Sequence, residues 1–216
     1  TVFDGDQAPV SADEIARLGC MAVHFDPAGR GESWGEEDFG GPEHQDDVAT
    51  VVRYLAERKD VEASHIGIVS ISLGVCMAVG SAAGAGGATP AELAWLVDWE
   101  GPSDREIITA GGTKMAPALG HTLTDETYWA PREAVRHVGQ LRCKYIRLQS
   151  RVDHAQPGEL RHAQRMLDAA SSGNIPWMQL NNSPANTWPV QSAWLPAGRL
   201  AANRAILRAI ALLIRD

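Results

Sequence analysis

The chain has 216 residues, of which 44 % are hydrophobic and 21 % are charged. This composition is typical of a globular domain with a sizeable core, and it excludes wholesale disorder. The net charge of −8 argues against nucleic acid or an anionic membrane as the main partner, because both attract clustered Lys and Arg. No apolar run is long enough to span a bilayer, and no signal peptide opens the chain, so we expect a cytoplasmic protein.

The chain contains three cysteines, Cys20, Cys76 and Cys143. They are odd in number, lie far apart and fall in or beside apolar stretches. This spacing fits neither a disulfide framework nor a zinc site. We therefore expect free, buried thiols.

The first part of the chain predicts a strand, a helix and a second strand. Thr1–Phe3 has the character of a strand end. Ser11 and Glu14 have the spacing of a capping box and begin a helix that ends at Gly19. Cys20–Phe25 is a continuous apolar run, as expected for a strand covered on both faces.

A glycine-rich loop, Asp26–Gly41, leads into a helix predicted over Pro42–Lys59. The next segment, His65–Ala83, begins with a β-branched strand at Ile66–Ser70. That strand passes without a linker into a turn of small residues and then into a helical pattern. The order of strand, sharp turn and helix makes this segment the candidate centre of the molecule.

The second half of the chain predicts three more strands: Leu93–Val97, Tyr145–Gln149 and Trp177–Leu180. A helix is predicted from Pro157 to Gly173, and an amphipathic helix closes the chain. The irregular segment 105–138 is predicted to be a small cap or lid of short helices.

Alternation of strands and helices predicts an α/β fold with a parallel, doubly wound sheet. We expect one domain over residues 1–216, since no repeat or linker divides the sequence. In such a sheet, ligands bind beyond the carboxyl ends of the strands. The loops that follow the strands should therefore meet in one crevice.

The turn after Ile66–Ser70 carries a candidate nucleophile, Ser72. The pattern is G-x-S-x-G with its first glycine replaced by Ser70 and its second present as Gly74. A serine on such a turn is held in a strained conformation with its hydroxyl exposed, and the next N–H, from Leu73, can face an oxyanion. The alternative is a serine-rich strand end that leads into a core helix.

Several segments in this order resemble the α/β-hydrolase superfamily, in particular its esterase and dienelactone-hydrolase-like members. Phe3-Asp4-Gly5 stands where the family usually has His-Gly, and DPAGRGES at 26–33 resembles its D-x-x-G-x-G-x-S. SISLG at 70–74 resembles the nucleophile elbow, and SRVD at 150–153 follows a strand where the family's acid normally lies. The resemblance implies a mostly parallel sheet that lacks the usual N-terminal strands.

The resemblance also implies roles for individual residues. Ser72 would be the nucleophile and Asp153 the orienting acid. The N–H of Leu73, with that of Asp6 or Gln7, would form the oxyanion hole. In the family the catalytic histidine follows the last strand. Here Asn186 stands at about that place, and no histidine occurs after His162.

His154 is the best candidate for a substitute base, because it lies on the same loop as Asp153. Consecutive side chains rarely point the same way, so Asp98 or Glu100, on the loop after the preceding strand, could orient His154 instead. The alternative for His154 is a loop residue that bonds to nearby backbone. His162 lies on a helix and is expected to face solvent.

Two functions follow from these residues. The first is a serine hydrolase, carboxylesterase-like, that cleaves small-molecule esters through an acyl-enzyme at Ser72 without a cofactor or metal. The second is a catalytically silent protein of the same fold that binds a polar ligand, Ca²⁺ or a protein partner; many Asp and Asn residues near the crevice suggest the cation. The sheet edge left by the absent N-terminal strands could be covered by a partner chain in a homo-oligomer.

Overall fold

The computed structural model describes residues 8–85, 91–110, 120–155, 160–181, 183–184 and 194–215. Their strands form one sheet in the order β1-β2-β3-β4-β5. The first four strands are parallel, and β5 runs antiparallel to β4. The strands are β1 (Gly67–Ile71), β2 (Trp95–Trp99), β3 (Lys144–Leu148), β4 (Met178–Leu180) and β5 (Ser183–Pro184). The predicted parallel sheet is confirmed.

Eight α-helices are present in the described residues: α1 (Ala12–Ala16), α2 (Pro42–Ala56), α3 (Gly74–Ala83), α4 (Arg105–Ala110), α5 (Glu126–Trp129), α6 (Ala134–His137), α7 (Arg161–Ser172) and α8 (Arg199–Leu213). Short 3₁₀ turns lie at Ala63–His65, Ala130–Arg132 and Val138–Gln140. No helix in the described part of the chain is long and apolar enough to cross a membrane.

Helices cover both faces of the sheet because side chains alternate along each strand. Leu96 and Tyr145 lie on the face packed against α3, α6 and α7. Val97 and Ile146 lie on the opposite face, where α8 covers them. All four side chains are fully buried. Most of the core therefore consists of two apolar layers with β2 and β3 between them, as a doubly wound sheet requires.

Local signals account for the starts of helices α1 and α2. The Glu14 N–H donates to Ser11 Oγ at 3.2 Å, and the Ser11 N–H donates to the Glu14 carboxylate at 2.8 Å, which confirms the capping box. Helix α2 begins at Pro42, as predicted, and ends at Ala56, before the predicted Lys59. Helix α7 begins at Arg161.

The strand predicted over Cys20–Phe25 is wrong. The run forms no strand, and Met21 and Val23 are each half exposed. A strand needs a hydrogen-bonded neighbour, and among the described residues β1 pairs only with β2. The run pairs with no described strand, so its apolar composition is not sufficient to form a strand.

The strand predicted over Leu93–Val97 is shifted to Trp95–Trp99. The sequence places Asp98 in the polar loop after this strand, so the strand is predicted to end at Val97. The structure places Asp98 opposite Arg147 of β3 in the sheet register, and the two side chains form a buried ion pair. The paired charge allows β2 to continue through Asp98 to Trp99.

All three cysteines are free. Cys76 and Cys143 are buried as predicted, whereas Cys20 is only partly buried. Burial raises the pKa of the Cys76 thiol to about 12 and that of Cys143 to about 11. These two thiols are therefore protonated and unreactive at neutral pH.

The segment predicted as a cap contains the short helices α4, α5 and α6 in its described parts. Trp129 of α5 is buried in the layer that contains α3. The described part of the segment thus contributes to the core. Whether it also covers the crevice stays a prediction, because residues 111–119 lie outside the described ranges.

Candidate functional site

Ser72 occupies a sharp turn between β1 and α3. Its φ is 52°, a left-handed conformation that is strained for a residue with a side chain. The turn is held by the Ser72 N–H, which donates to the Trp99 carbonyl at 2.9 Å. The strained strand-to-helix turn expected for a nucleophilic serine is therefore present at this position.

The Ser72 hydroxyl is hydrogen-bonded to an imidazole. His154 Nε2 lies 2.8 Å from Ser72 Oγ, and His154 Nδ1 lies 2.9 Å from Glu100 Oε2. A carboxylate can only accept, so the ring proton belongs on Nδ1 and donates to Glu100. Nε2 then has a free lone pair that accepts from the Ser72 O–H, as a general base requires.

The sheet brings these three residues together. Ile71, Trp99 and Leu148 lie side by side in the register of β1, β2 and β3. Ser72 and Glu100 directly follow the first two of these positions, and His154 lies on the loop after the third. The three side chains therefore meet at the carboxyl edge of the sheet, where the parallel architecture predicts a site.

Glu100 is held rigidly. Its Oε1 accepts from the Ser150 N–H at 2.9 Å and from the Ser150 hydroxyl. Its Oε2 accepts from the His154 N–H at 2.9 Å as well as from the ring. The residue is 2 % exposed and has a φ of 50°. Both carboxylate oxygens are thus fixed by the loop that carries His154.

Asp153, the acid implied by the family resemblance, lies farther from the ring. Its Oδ1 is 3.5 Å from His154 Nδ1 and accepts from the Ala155 N–H at 2.8 Å. Its Oδ2 accepts from Gln149 Nε2 at 2.8 Å. The shorter contact to the imidazole belongs to Glu100, the alternative acid, and Asp153 mainly shapes the loop.

The expectation that His162 faces solvent is wrong. The residue is 1 % exposed, in the first turn of α7. Its Nε2 lies 3.2 Å from Asp153 Oδ2, and its Nδ1 lies 3.2 Å from the Gly101 carbonyl. The apolar residues of α7 predict the helix, but their spacing gives no sign that Asp153, on the loop before the helix, contacts His162.

A buried ion pair between Asp98 of β2 and Arg147 of β3 lies next to the site. The Arg147 guanidinium donates to Asp98 and to the Gly101 carbonyl, both at 2.7 Å, and the Tyr145 hydroxyl donates to Asp98 at 2.8 Å. Burial disfavours the charge on Arg147, but the Asp98 carboxylate outweighs it and raises the pKa of the guanidinium. Asp98, the other alternative acid, is thus committed to this pair.

Sequence reasoning missed Arg147. The available signal was a charged residue inside an apolar strand, at the same relative position as Asp98 in the preceding strand. Two opposite charges at matching positions of neighbouring parallel strands predict a pair. That comparison needs the sheet register, which the sequence supplies only indirectly.

Trp99 completes the surroundings of the imidazole. Its ring stacks on His154 with centroids 4.5 Å apart and an interplanar angle of 27°. The tryptophan is 7 % exposed, so its position is fixed by the core. The stack restricts the rotation of the His154 ring between Ser72 and Glu100.

Leu73 precedes the first residue of α3. N–H groups at the start of a helix have no partner inside the helix, so the Leu73 N–H remains a candidate oxyanion donor. The other predicted donors, Asp6 and Gln7, and the replaced base Asn186 lie outside the described residues.

A largely apolar cavity of about 1030 Å³ adjoins the site. Ser72, Leu73 and His154 line it, together with apolar side chains of β1 and α2. Among the described residues, Glu100, Asp153 and His154 are also the group whose metal-ligating atoms converge, all within 4.8 Å of one another.

Comparison with known proteins gives structural neighbours only. No family model matches the chain, and no curated protein matches it. An esterase of Pyrococcus furiosus superposes with a TM-score of 0.63 at 14 % identity, over 94 % of this chain and 73 % of its own. A truncated carbohydrate esterase from gut microbiota gives 0.58 at 14 % identity, over 81 % and 69 %.

A puromycin hydrolase gives a TM-score of 0.60 at 16 % identity, over 85 % of this chain and 28 % of its own. This chain therefore spans about a quarter of the length of the puromycin-hydrolysing neighbours. Identities this low establish a shared fold and leave the chemistry to be argued from the site.

Proposed function

The chain has the α/β-hydrolase fold, and we propose that it is a serine hydrolase that cleaves small esters through an acyl-enzyme at Ser72. One observation carries the proposal: Ser72 Oγ lies 2.8 Å from His154 Nε2, and His154 Nδ1 lies 2.9 Å from Glu100. Nucleophile, base and orienting acid are thus linked in the order that nucleophilic catalysis requires.

In the first step, Ser72 Oγ attacks the ester carbonyl while its proton passes to His154 Nε2. The ring becomes an imidazolium, and the buried Glu100 carboxylate stabilises its charge. Negative charge develops on the carbonyl oxygen, where the Leu73 N–H would donate. The imidazolium then protonates the departing alkoxide, and the alcohol leaves.

In the second step, His154 takes a proton from water, and the resulting hydroxide equivalent attacks the acyl carbon on Ser72. Collapse of the tetrahedral intermediate breaks the bond to Oγ, and the proton on Nε2 returns to the serine. Acid is released, and the starting hydrogen bonds re-form. The base acts from the loop after β3, whereas the family resemblance placed it after the last strand.

Small esters are the proposed substrates because the cavity beside Ser72 is largely apolar. Structural neighbours include esterases and puromycin hydrolases, which favours acyl transfer as the reaction class. Glu100 takes the acid's role in this proposal, and Asp153 shapes the loop.

The proposal is tested with short p-nitrophenyl esters. The wild-type protein should hydrolyse them with saturation kinetics, and both Ser72→Ala and His154→Ala should reduce the rate to the uncatalysed level. His121→Ala is the matched control, because His121 bonds to Asp125 at an exposed position and should retain activity. Wild-type turnover that survives Ser72→Ala would reject the mechanism.

The second candidate, a silent protein that binds a polar ligand, Ca²⁺ or a partner, remains the alternative. It rests on the absence of a histidine after His162 in the sequence. The contact between Ser72 and His154 weakens it, because that contact provides a base from another loop. A folded sample that hydrolyses no ester would favour this alternative.

A further inference from the structure

Two buried carboxylates converge on one imidazole nitrogen. Glu100 Oε2 lies 2.9 Å and Asp153 Oδ1 lies 3.5 Å from His154 Nδ1. Both acidic side chains are 1 % exposed, and the imidazole is 20 % exposed. Orientation of a catalytic histidine needs only one carboxylate, so the second one needs a separate explanation.

A second observation points to the same place. His162, which takes no part in the proposed reaction, is 1 % exposed, and its Nε2 makes no hydrogen bond of acceptable geometry in the described part of the chain. That nitrogen lies 3.2 Å from Asp153 Oδ2. The buried Nε2 of His162 is therefore directed at Asp153 Oδ2, whereas the other oxygen of that carboxylate, Oδ1, faces His154.

The spacing of the carboxylate oxygens around His154 Nδ1 fits a small divalent cation. Zn²⁺ binds imidazole nitrogen and carboxylate oxygen at about 2.0–2.2 Å, so neighbouring ligand atoms of a tetrahedral site lie about 3.3 Å apart. The two separations measured from His154 Nδ1, 2.9 Å and 3.5 Å, bracket this value. A mixed set of one imidazole and two carboxylates suits Zn²⁺, whereas Ca²⁺ and Mg²⁺ prefer oxygen ligands only.

We infer that Glu100, Asp153 and His154 form an inhibitory Zn²⁺ site. The ion binds Nδ1 and one oxygen of each carboxylate, with water in the fourth position. His162 supports Asp153 from behind, in the way that groups around a metal site fix its ligands. The positive ion also offsets the two buried negative charges.

Occupation of this site has a chemical consequence. The Nδ1 proton must leave that nitrogen when the metal binds, and it moves to Nε2. Nε2 then donates to Ser72 Oγ and can no longer accept the serine proton. Zn²⁺ therefore blocks the base without touching the nucleophile. The inhibition rests on the proposed function, but the binding does not.

Calorimetric titration of the full chain with Zn²⁺ tests the binding. We expect one ion per chain. Asp153→Asn and His162→Gln should each weaken the affinity by about ten-fold or more. His65→Gln is the matched control, because it removes an exposed imidazole outside the cluster and should bind as the wild type does. Ca²⁺ should give no saturable heat at the same concentrations.

The inference is overturned if Zn²⁺ gives no saturable binding, or if both variants, shown to be folded by circular dichroism, bind as tightly as the wild type. Equal weakening by His65→Gln would also overturn it, since the ion would then lie on the surface. Failure of the proposed function is recognised separately: without Zn²⁺, a fluorophosphonate would not label Ser72, while one Zn²⁺ would still bind.

Discussion

Replacement of Glu100 by glutamine tests which of the two acids beside His154, Glu100 or Asp153, orients the imidazole. The side chain keeps its shape but loses its charge and one of its two acceptor oxygens. In the wild-type protein, both Glu100 oxygens accept from backbone groups: Oε1 from the Ser150 N–H and Oε2 from the His154 N–H, each at 2.9 Å. An amide has a single oxygen, so one of these N–H groups must face an NH₂ group.

Each orientation of the amide has a cost. If its oxygen faces His154, the Ser150 N–H is left unpaired in a buried place, which costs about 1–3 kcal/mol of stability. If its nitrogen faces His154, it donates to Nδ1 and forces the ring proton onto Nε2. The wrong tautomer reduces turnover by about 10⁴ in a related triad. We therefore expect kcat/KM of Glu100→Gln to fall by about 10²–10⁴, or about 3–5 kcal/mol of activation free energy.

The assay is the steady-state hydrolysis of a p-nitrophenyl ester, with circular dichroism to establish the fold. Asp153→Asn is the matched control. Its carboxylate lies 3.5 Å from Nδ1, beyond a good hydrogen bond, so we expect a fall of no more than about ten-fold. A larger loss in Asp153→Asn than in Glu100→Gln would refute this reasoning and return the orienting role to Asp153.

Three further changes have expected outcomes. Trp99→Leu removes the ring stacked at 4.5 Å on the imidazole and should lower kcat by about two- to ten-fold. Trp99→Phe should lower kcat less. Equal kcat values for the two variants would contradict a role for the stacking. Gly101→Ala places a methyl 2.5 Å from an α3 side chain and should cost about 2 kcal/mol in urea unfolding. The methyl added by Gly74→Ala meets only atoms 3.9 Å or farther away, so this variant should lose clearly less stability. Similar losses of stability in the two variants would contradict the packing argument. Burial alone would raise the pKa of Glu133, but the hydrogen bonds from Arg105 outweigh burial and lower that pKa below the ordinary value of a glutamate. The ionised Glu133 therefore stabilises the fold fully at pH values above that ordinary pKa, and this stabilisation is lost as the pH falls further. Glu133→Gln should lower the free energy of unfolding by about 3 kcal/mol at pH 7 and by less in acid. A loss of stability that does not depend on pH would contradict this reasoning.

The parallel sheet and the turn at Ser72 were predictable because their signals are local. A β-branched run, small residues and a helical pattern follow one another between His65 and Ala83, and each constrains the backbone directly. The capping box of Ser11 and Glu14 is local in the same sense. These elements formed where the sequence placed them, within a few residues at their ends.

The failures share a different physical cause. Cys20–Phe25 has the composition of a strand, but a strand depends on a neighbour that the residues themselves do not encode. His162 depends on which side of α7 meets the loop that carries Asp153, and the apolar pattern of the helix does not report a polar contact. Both outcomes are set by tertiary contacts between distant parts of the chain.

The choice between Glu100 and Asp153 was left open by the sequence for the same reason. Each lies on a loop at the carboxyl edge of the sheet, and loop side chains have no periodicity that fixes their direction. From its loop alone, the sequence singled out His154 as the best candidate for a substitute base. The structure adds its position 2.8 Å from Ser72 Oγ.

The most direct measurement is covalent labelling by a fluorophosphonate, followed by intact mass analysis. An activated Ser72 should react stoichiometrically, with the label located on the peptide that contains it, and Ser72→Ala should not react. His154→Ala should slow the labelling by about a hundred-fold or more, because the proton of Oγ then has no acceptor. Labelling at the wild-type rate in folded His154→Ala, or no labelling of the folded wild-type protein, would contradict the account.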